Sequence, residues 1–220
     1  MGQCKNCEKK GFFLSVDPNG LCANCAPSII DNIQRCLQII QESVDLAEKG
    51  KTFKTRISRC DVAIEKSKSL LDYEASGIPT MTPLPSKYIK VLKKYRDVIV
   101  IEEANNLAHK AVSKFEVATS QRSRESSLST GMLKVKGINA NLSDQAKGKE
   151  IENKLKNMIH KVKLDGFLEA AKKAGFKGQN EKAIDQYLEA LYFIQNDEIP
   201  DELQKEEIEK IKAKIQELSG

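Results

Sequence analysis

The chain has 220 residues, 40% hydrophobic and 30% charged, with a formal net charge of +5, a composition ordinary for a soluble protein of one large or two smaller domains. No run approaches the roughly 18 apolar residues that span a bilayer, and no signal-peptide core opens the chain. Two His and no Trp leave little material for histidine chemistry. Gly2 matches a myristoylation site, but Asn6 stands where Ser or Thr is expected. These features predict a cytoplasmic protein without membrane association. The cysteines agree, because a secreted scaffold would spread its bridges through the chain, whereas four of the six lie within the first 25 residues.

Those four, in CKNCEKKGFFLSVDPNGLCANC, follow C-x2-C-x14-C-x2-C. Two residues between paired cysteines let both sulfurs converge on one ion about 2.3 Å away, supported by backbone N–H groups of the corner. Asn6 and Asn24 hold the same slot in each corner, and Asn tolerates left-handed backbone. Asp17-Pro18-Asn19-Gly20 is a turn sequence, so the intervening residues predict a short β-hairpin that joins the corners. The stretch resembles the zinc ribbons, small Cys4 metal-binding hairpins. That resemblance covers residues 1–26 and implies Cys4, Cys7, Cys22 and Cys25 as ligands to one structural Zn2+. Two disulfides and rubredoxin-like iron are the alternatives. Lys5, Lys9 and Lys10 are offset by Glu8, Asp17 and the thiolates, which leaves no surplus of cations for phosphate. Phe12, Phe13 and Leu14 need cover, expected from the chain's own helices in preference to another protein.

Residues 27–118 read as a helical region. Ile29, Ile33, Cys36, Ile40, Val44 and Ala47 recur at helical spacing between Pro27-Ser28 and Gly50. A second run through Ile57, Cys60, Ile64 and Leu71 completes a helical hairpin ending near Gly77. Cys36 and Cys60 fall on apolar faces, where free Cys acts as a small hydrophobe. GIPTMTPLPS breaks the pattern. From Ser86 a helix of about thirty residues, roughly 45 Å long, is expected. The Ser- and Arg-rich residues 119–131 read as a linker.

Residues 132–220 read as a C-terminal helical domain. A helix is expected over about 149–173. Phe167, Ala170, Ala171, Ala174, Gly178, Ala183, Tyr187 and Ala190 then resemble a tetratricopeptide (TPR) unit, over 164–197. Asn180 is expected to cap its second helix, and a third helix follows Pro200 with Leu203, Ile208, Ile211, Ile215 and Leu218 on one face. The pattern also resembles the microtubule-interacting-and-trafficking three-helix fold. Tyr187 and Tyr192 are candidate interaction residues.

The fold class expected is thus mainly α, helical hairpins and a bundle with a small N-terminal zinc-ribbon β-hairpin. No phosphate-binding loop or hydrolase motif is present, His109 and His160 stand alone, and Glu102 and Glu103 diverge around a helix. The expected function is a non-catalytic, zinc-containing interaction or adaptor protein with a protein partner. Nucleic acid is the alternative partner, because residues 121–175 hold twelve Lys/Arg against six Asp/Glu. Its candidate contacts are Arg122, Arg124, Lys134, Lys136, Lys147, Lys149, Lys154 and Lys156. An enzyme built from scattered carboxylates is the third reading.

Overall fold

The computed structural model describes residues 2–197 and 199–219. They form two compact units, Met1–Ala104 with Ile138–Lys147, and Asn105–Gly137 with Gly148–Gly220. The described residues are mainly helical, with one two-stranded antiparallel sheet near the N-terminus.

In the first unit, β1 (Gly2–Gln3) pairs with β2 (Lys10–Gly11), Gly2 opposite Gly11 and Gln3 opposite Lys10. The hairpin expected between the corners shrinks to a single bridge, Val16 with Cys22. Pairing goes instead to the residues that flank the first corner. Phe12 and Phe13 therefore lie in a turn rather than a strand. The turn after Val16 forms as its sequence predicts. The Asp17 carboxylate accepts the N–H of Asn19 (2.9 Å) and of Leu21 (2.8 Å). Gly20 takes a positive φ of 84° above the Lys5 side chain, where a Cβ would lie 2.6 Å from Lys5 Cδ.

Helix α1 (Ala26–Lys49) carries Pro27 in its first turn, where a missing N–H costs nothing. Its buried residues Ile29, Ile33, Cys36, Ile40, Ser43 and Ala47 are spaced by three or four. Helix α2 (Phe53–Lys68) starts on Thr52, whose hydroxyl accepts the Thr55 N–H, and packs against α1 as the expected hairpin. A short α3 (Leu71–Ala75) precedes the proline-rich break. Helix α4 (Pro85–Val117) then runs 33 residues, and the Glu74 carboxylate accepts the Ser86 N–H at 2.8 Å. Cys60 is buried with Ile57, Ile99, Val100 and Leu142, and burial pushes its thiol pKa up. Residues 138–147 belong to this unit through the buried Asp97, which accepts the Ser143 N–H at 2.9 Å and Lys147 Nζ at 3.2 Å.

The second unit contains the rest of α4, most of α5 (Gln121–Asn139), then α6 (Lys149–Phe176), α7 (Asn180–Gln195) and α8 (Lys205–Ser219). The segment expected as a linker is helical from Gln121 onward. Leu128, Met132 and Val135 are buried at helical spacing and continue as one stripe. Helices α6, α7 and α8 share a core of Leu164, Ala171, Tyr187, Ala190, Ile194, Ile208 and Ile211. Three details differ from expectation. Ala170 faces solvent beside buried Ala171. Asn180 is the first helical residue of α7, and the capping position falls to Gln179, without a side-chain cap. Leu203 lies in a 3-10 turn and is exposed, because α8 starts only at Lys205.

One polar cluster sits in this bundle. Asp197 accepts from His160 Nε2, from the Ile199 N–H (2.6 Å) and from Gln204 Nε2 (3.2 Å), while the Phe193 ring stacks on His160. Burial raises the Asp197 pKa, but these donors together with the nearby His160 outweigh it and hold the carboxyl below its ordinary value.

Candidate metal centre

The first corner is closed by β1 and β2 on either side and by the Glu8 N–H donating to Cys4 O at 2.9 Å. The second runs directly into α1, with the N–H groups of Cys25 (3.0 Å) and Ala26 (2.9 Å) donating to Cys22 O. The sulfurs of Cys4, Cys7, Cys22 and Cys25 consequently all lie within 4.8 Å of one another. Cys7 Sγ and Cys22 Sγ are 3.9 Å apart. All six cysteines are free thiols, so the disulfide alternative is not the arrangement adopted.

The geometry fits a metal ion. Sulfurs at about 2.3 Å from a tetrahedral centre would be about 3.8 Å from one another, near the Cys7–Cys22 spacing. Backbone N–H groups aim at sulfur, as in Cys22 N–H to Cys4 Sγ at 3.3 Å. The side chain of Asn6 joins them, its Nδ2 donating to Cys25 Sγ at 3.4 Å. This differs from the role expected of Asn6. Neither Asn6 nor Asn24 has a positive φ; Glu8 takes it, at 57°.

Electrostatics support a cation at this point. N–H groups of Cys7 and Cys22 lead the influences that bring the Cys4 thiol down to about 6, against its burial. For Cys25 the Asn6 amide is the largest single influence and lowers the pKa. The neighbouring sulfurs of Cys22, Cys7 and Cys4, together with burial, outweigh it and hold Cys25 up at about 11. Four thiolates this close repel one another unless a cation is shared among them.

Leu21, Cys4 and Cys22 are buried in one cluster with Ile29, Ile33, Cys36, Ile40, Leu70 and Ile78, and Leu14 and Val16 pack against it. Lys5 Nζ donates to Gly77 O at 2.6 Å. The clip is thereby fixed to the helices of its own unit. Leu21 drew no role from the sequence, although an apolar residue just ahead of a ligand, after a turn, is a signal of inward packing, and Lys5 was read only as a cation offset by Glu8, Asp17 and the thiolates. The expected docking of the apolar run is met by Leu14 alone. Phe12 is 81% and Phe13 97% exposed, in the turn that replaces the expected strand.

The remaining candidates separate. Tyr187 is buried in the bundle core and offers no interaction surface, a correction to its expected role. Tyr192 on the same helix is 67% exposed. The eight basic candidates do not share one unit: Lys147 belongs to the first, bound to Asp97, and the others to the second. Lys154 pairs with Glu150 at 2.8 Å, and Arg124 donates to Ala118 O and lies over the Phe115 ring. Arg122 and Lys134 line a groove between α4 and α5. Lys136 and Lys149 are exposed, and Lys156 is half-buried.

Comparison with protein-family models, with curated proteins and with solved structures returns no significant match. Among the described residues, no helix is long and apolar enough to cross a membrane.

Proposed function

We propose that the chain is a non-catalytic, zinc-containing protein–protein interaction protein of the cytoplasm, whose clip presents Phe12 and Phe13 to a protein partner. The observation that carries this reading is the exposure of the two rings. They meet edge to face with centroids 5.7 Å apart, on a turn between two pairs of metal-ligand candidates. Each ring has about 150–250 Å2 to bury, and a turn held at both ends loses little conformational entropy on docking. Exposed Tyr192 in the other unit is a second aromatic candidate.

The all-cysteine set matches the closed Cys4 structural zinc sites; tetrahedral sulfur also suits iron, and metal analysis of the purified protein separates the two. Four protein ligands leave no open coordination position, which supports a structural role over a catalytic one. Free thiols throughout suit a reducing compartment.

Affinity capture with the full chain and with a Phe12→Ser/Phe13→Ser variant tests the reading. Proteins retained by the first and lost from the second support it. Identical profiles overturn the role of the aromatic pair, and purified protein with no bound zinc overturns the zinc assignment.

A further inference from the structure

A groove of about 860 Å3 lies between the second half of α4 and the start of α5, lined only by residues of the second unit. His109, Lys110, Lys114, Arg122 and Lys134 contribute five basic side chains, and no carboxylate lines it. Serines and a threonine, among them Ser123, Ser127 and Thr130, supply hydroxyls between the charges. We propose that this groove binds a compact polyphosphorylated ligand, through the cations of both helices and the hydroxyls of α5.

Three observations carry the proposal. The first is the state of the cations. Among the described residues, none of Lys110, Lys114, Arg122 and Lys134 forms an ion pair, whereas Glu125 of α5 pairs with Lys163 of α6 at 3.4 Å. Glu125 is thus engaged outside the groove, and neither it nor Glu116 lines it. Like charges gathered without a counter-charge repel, and a bound polyanion reverses that cost.

The second is what keeps the groove open. The helices touch through their smallest residues: a Cβ at Gly131 would meet Ala111 Cβ at 2.2 Å. Leu128 is buried, while the residues that line the groove on α5 are short hydroxylated side chains and long basic ones. Hydroxyl donors beside flexible ammonium groups are the groups that phosphate oxygens accept from.

The third selects the ligand class. The volume lies in the range of small-molecule sites, about 300–1,000 Å3. No Phe, Tyr or Trp lines the groove, which leaves the bases of a single-stranded nucleic acid only His109 and Arg122 to stack on. The cations converge on one short groove rather than along a continuous stripe. A phosphate-dense small molecule fits that arrangement, either free or as the headgroup of a phosphorylated lipid.

Calorimetric titration of the full chain with inositol hexakisphosphate at 0.15 M salt tests the proposal, beside vesicles containing phosphatidylinositol 4,5-bisphosphate and a 20-nucleotide single-stranded DNA. Saturable binding of the inositol phosphate is expected, weakened about tenfold or more in Lys114→Glu/Arg122→Glu, given the strength of charge-assisted hydrogen bonds. The control Lys154→Glu/Lys161→Glu is expected to change it less than about twofold, since exposed charges off the site contribute little. Tighter binding to the vesicles than to the soluble probe assigns the lipid source; binding to the soluble probe alone assigns the free source. Absence of binding to both phosphorylated probes overturns the proposal, as does equal loss in both variants or tighter binding to the DNA. Lysine acylation of the unmutated chain gives a second readout independent of variant folding. The inositol phosphate should protect Lys110, Lys114 and Lys134 but not Lys210, and uniform protection overturns the site.

Discussion

The cysteine clip and the α6–α8 bundle solve the same problem with different means. The clip orders its corners through four sulfurs, and buries only a few apolar side chains, Leu21 foremost, against α1. Among the described residues the bundle has no such centre. Its order is distributed over interleaved Ala, Ile, Leu and Tyr side chains, with one polar knot at Asp197. A concentrated design fails all at once when one ligand goes, whereas a distributed one loses stability in proportion to what is removed.

Chelation, or Cys22→Ser, should break that contrast most sharply. Structural zinc is worth roughly 10–16 kcal/mol of apparent binding energy, so the clip should lose its order while helical circular dichroism from the bundle persists. One zinc per chain by metal analysis, falling to none in the variant, is the companion measurement. On the other side, Ile194→Ala empties a fully buried position and should cost about 2–5 kcal/mol. Denaturant unfolding should show that loss with zinc content unchanged.

Asp197→Asn should cost less, about 1–3 kcal/mol, by weakening a buried charge-assisted network. Its pH dependence has a defined sign. Because the folded carboxyl is held below its ordinary value, its contribution is fully present above the unfolded carboxylate pKa. That contribution is lost as pH falls through the lower folded value. Thermal melts in acid should therefore converge for the two proteins, while at neutral pH the unmutated chain melts higher. The smallest effect expected is a gain: Glu8→Gly removes a left-handed strain of about 1–2 kcal/mol, less the added flexibility of Gly in the unfolded chain. A rise in the concentration of chelator needed to strip the metal checks it.

The same contrast governs what could be read from the residues alone. Cysteine spacing is local, so the gathering of Cys4, Cys7, Cys22 and Cys25 into one cluster that could hold a metal ion was legible, as were α1 and α4, whose apolar residues or length announce them. Phe12 and Phe13 were not, because the choice between strand and turn depended on which residues β1 found to pair with. Residues 119–131 read as linker because their serines hid the start of a stripe that runs from Leu128 through Met132 to Val135. Tyr187 matched the TPR-like pattern and was also a candidate interaction residue, because a tyrosine at helical spacing does not say whether its hydroxyl end stays open once the bundle closes over its ring. The groove was invisible for a different reason. Lys110 and Lys114 look like ordinary solvated lysines until α5 is laid beside α4, and they lie outside the basic stretch that composition alone marks.

The turn at Phe12–Phe13 falls between the two cysteine corners, with one sulfur pair on each side of it. A chymotrypsin-like cut there would divide the polypeptide without dividing the coordination shell. The two pieces would then be joined by the ion, together with contacts such as Cys4 Sγ to the Cys22 N–H and Lys5 Nζ to Gly77 O. Such a nicked molecule would migrate as one species until chelated and as two afterwards, so that the metal would serve as the chain's missing peptide bond.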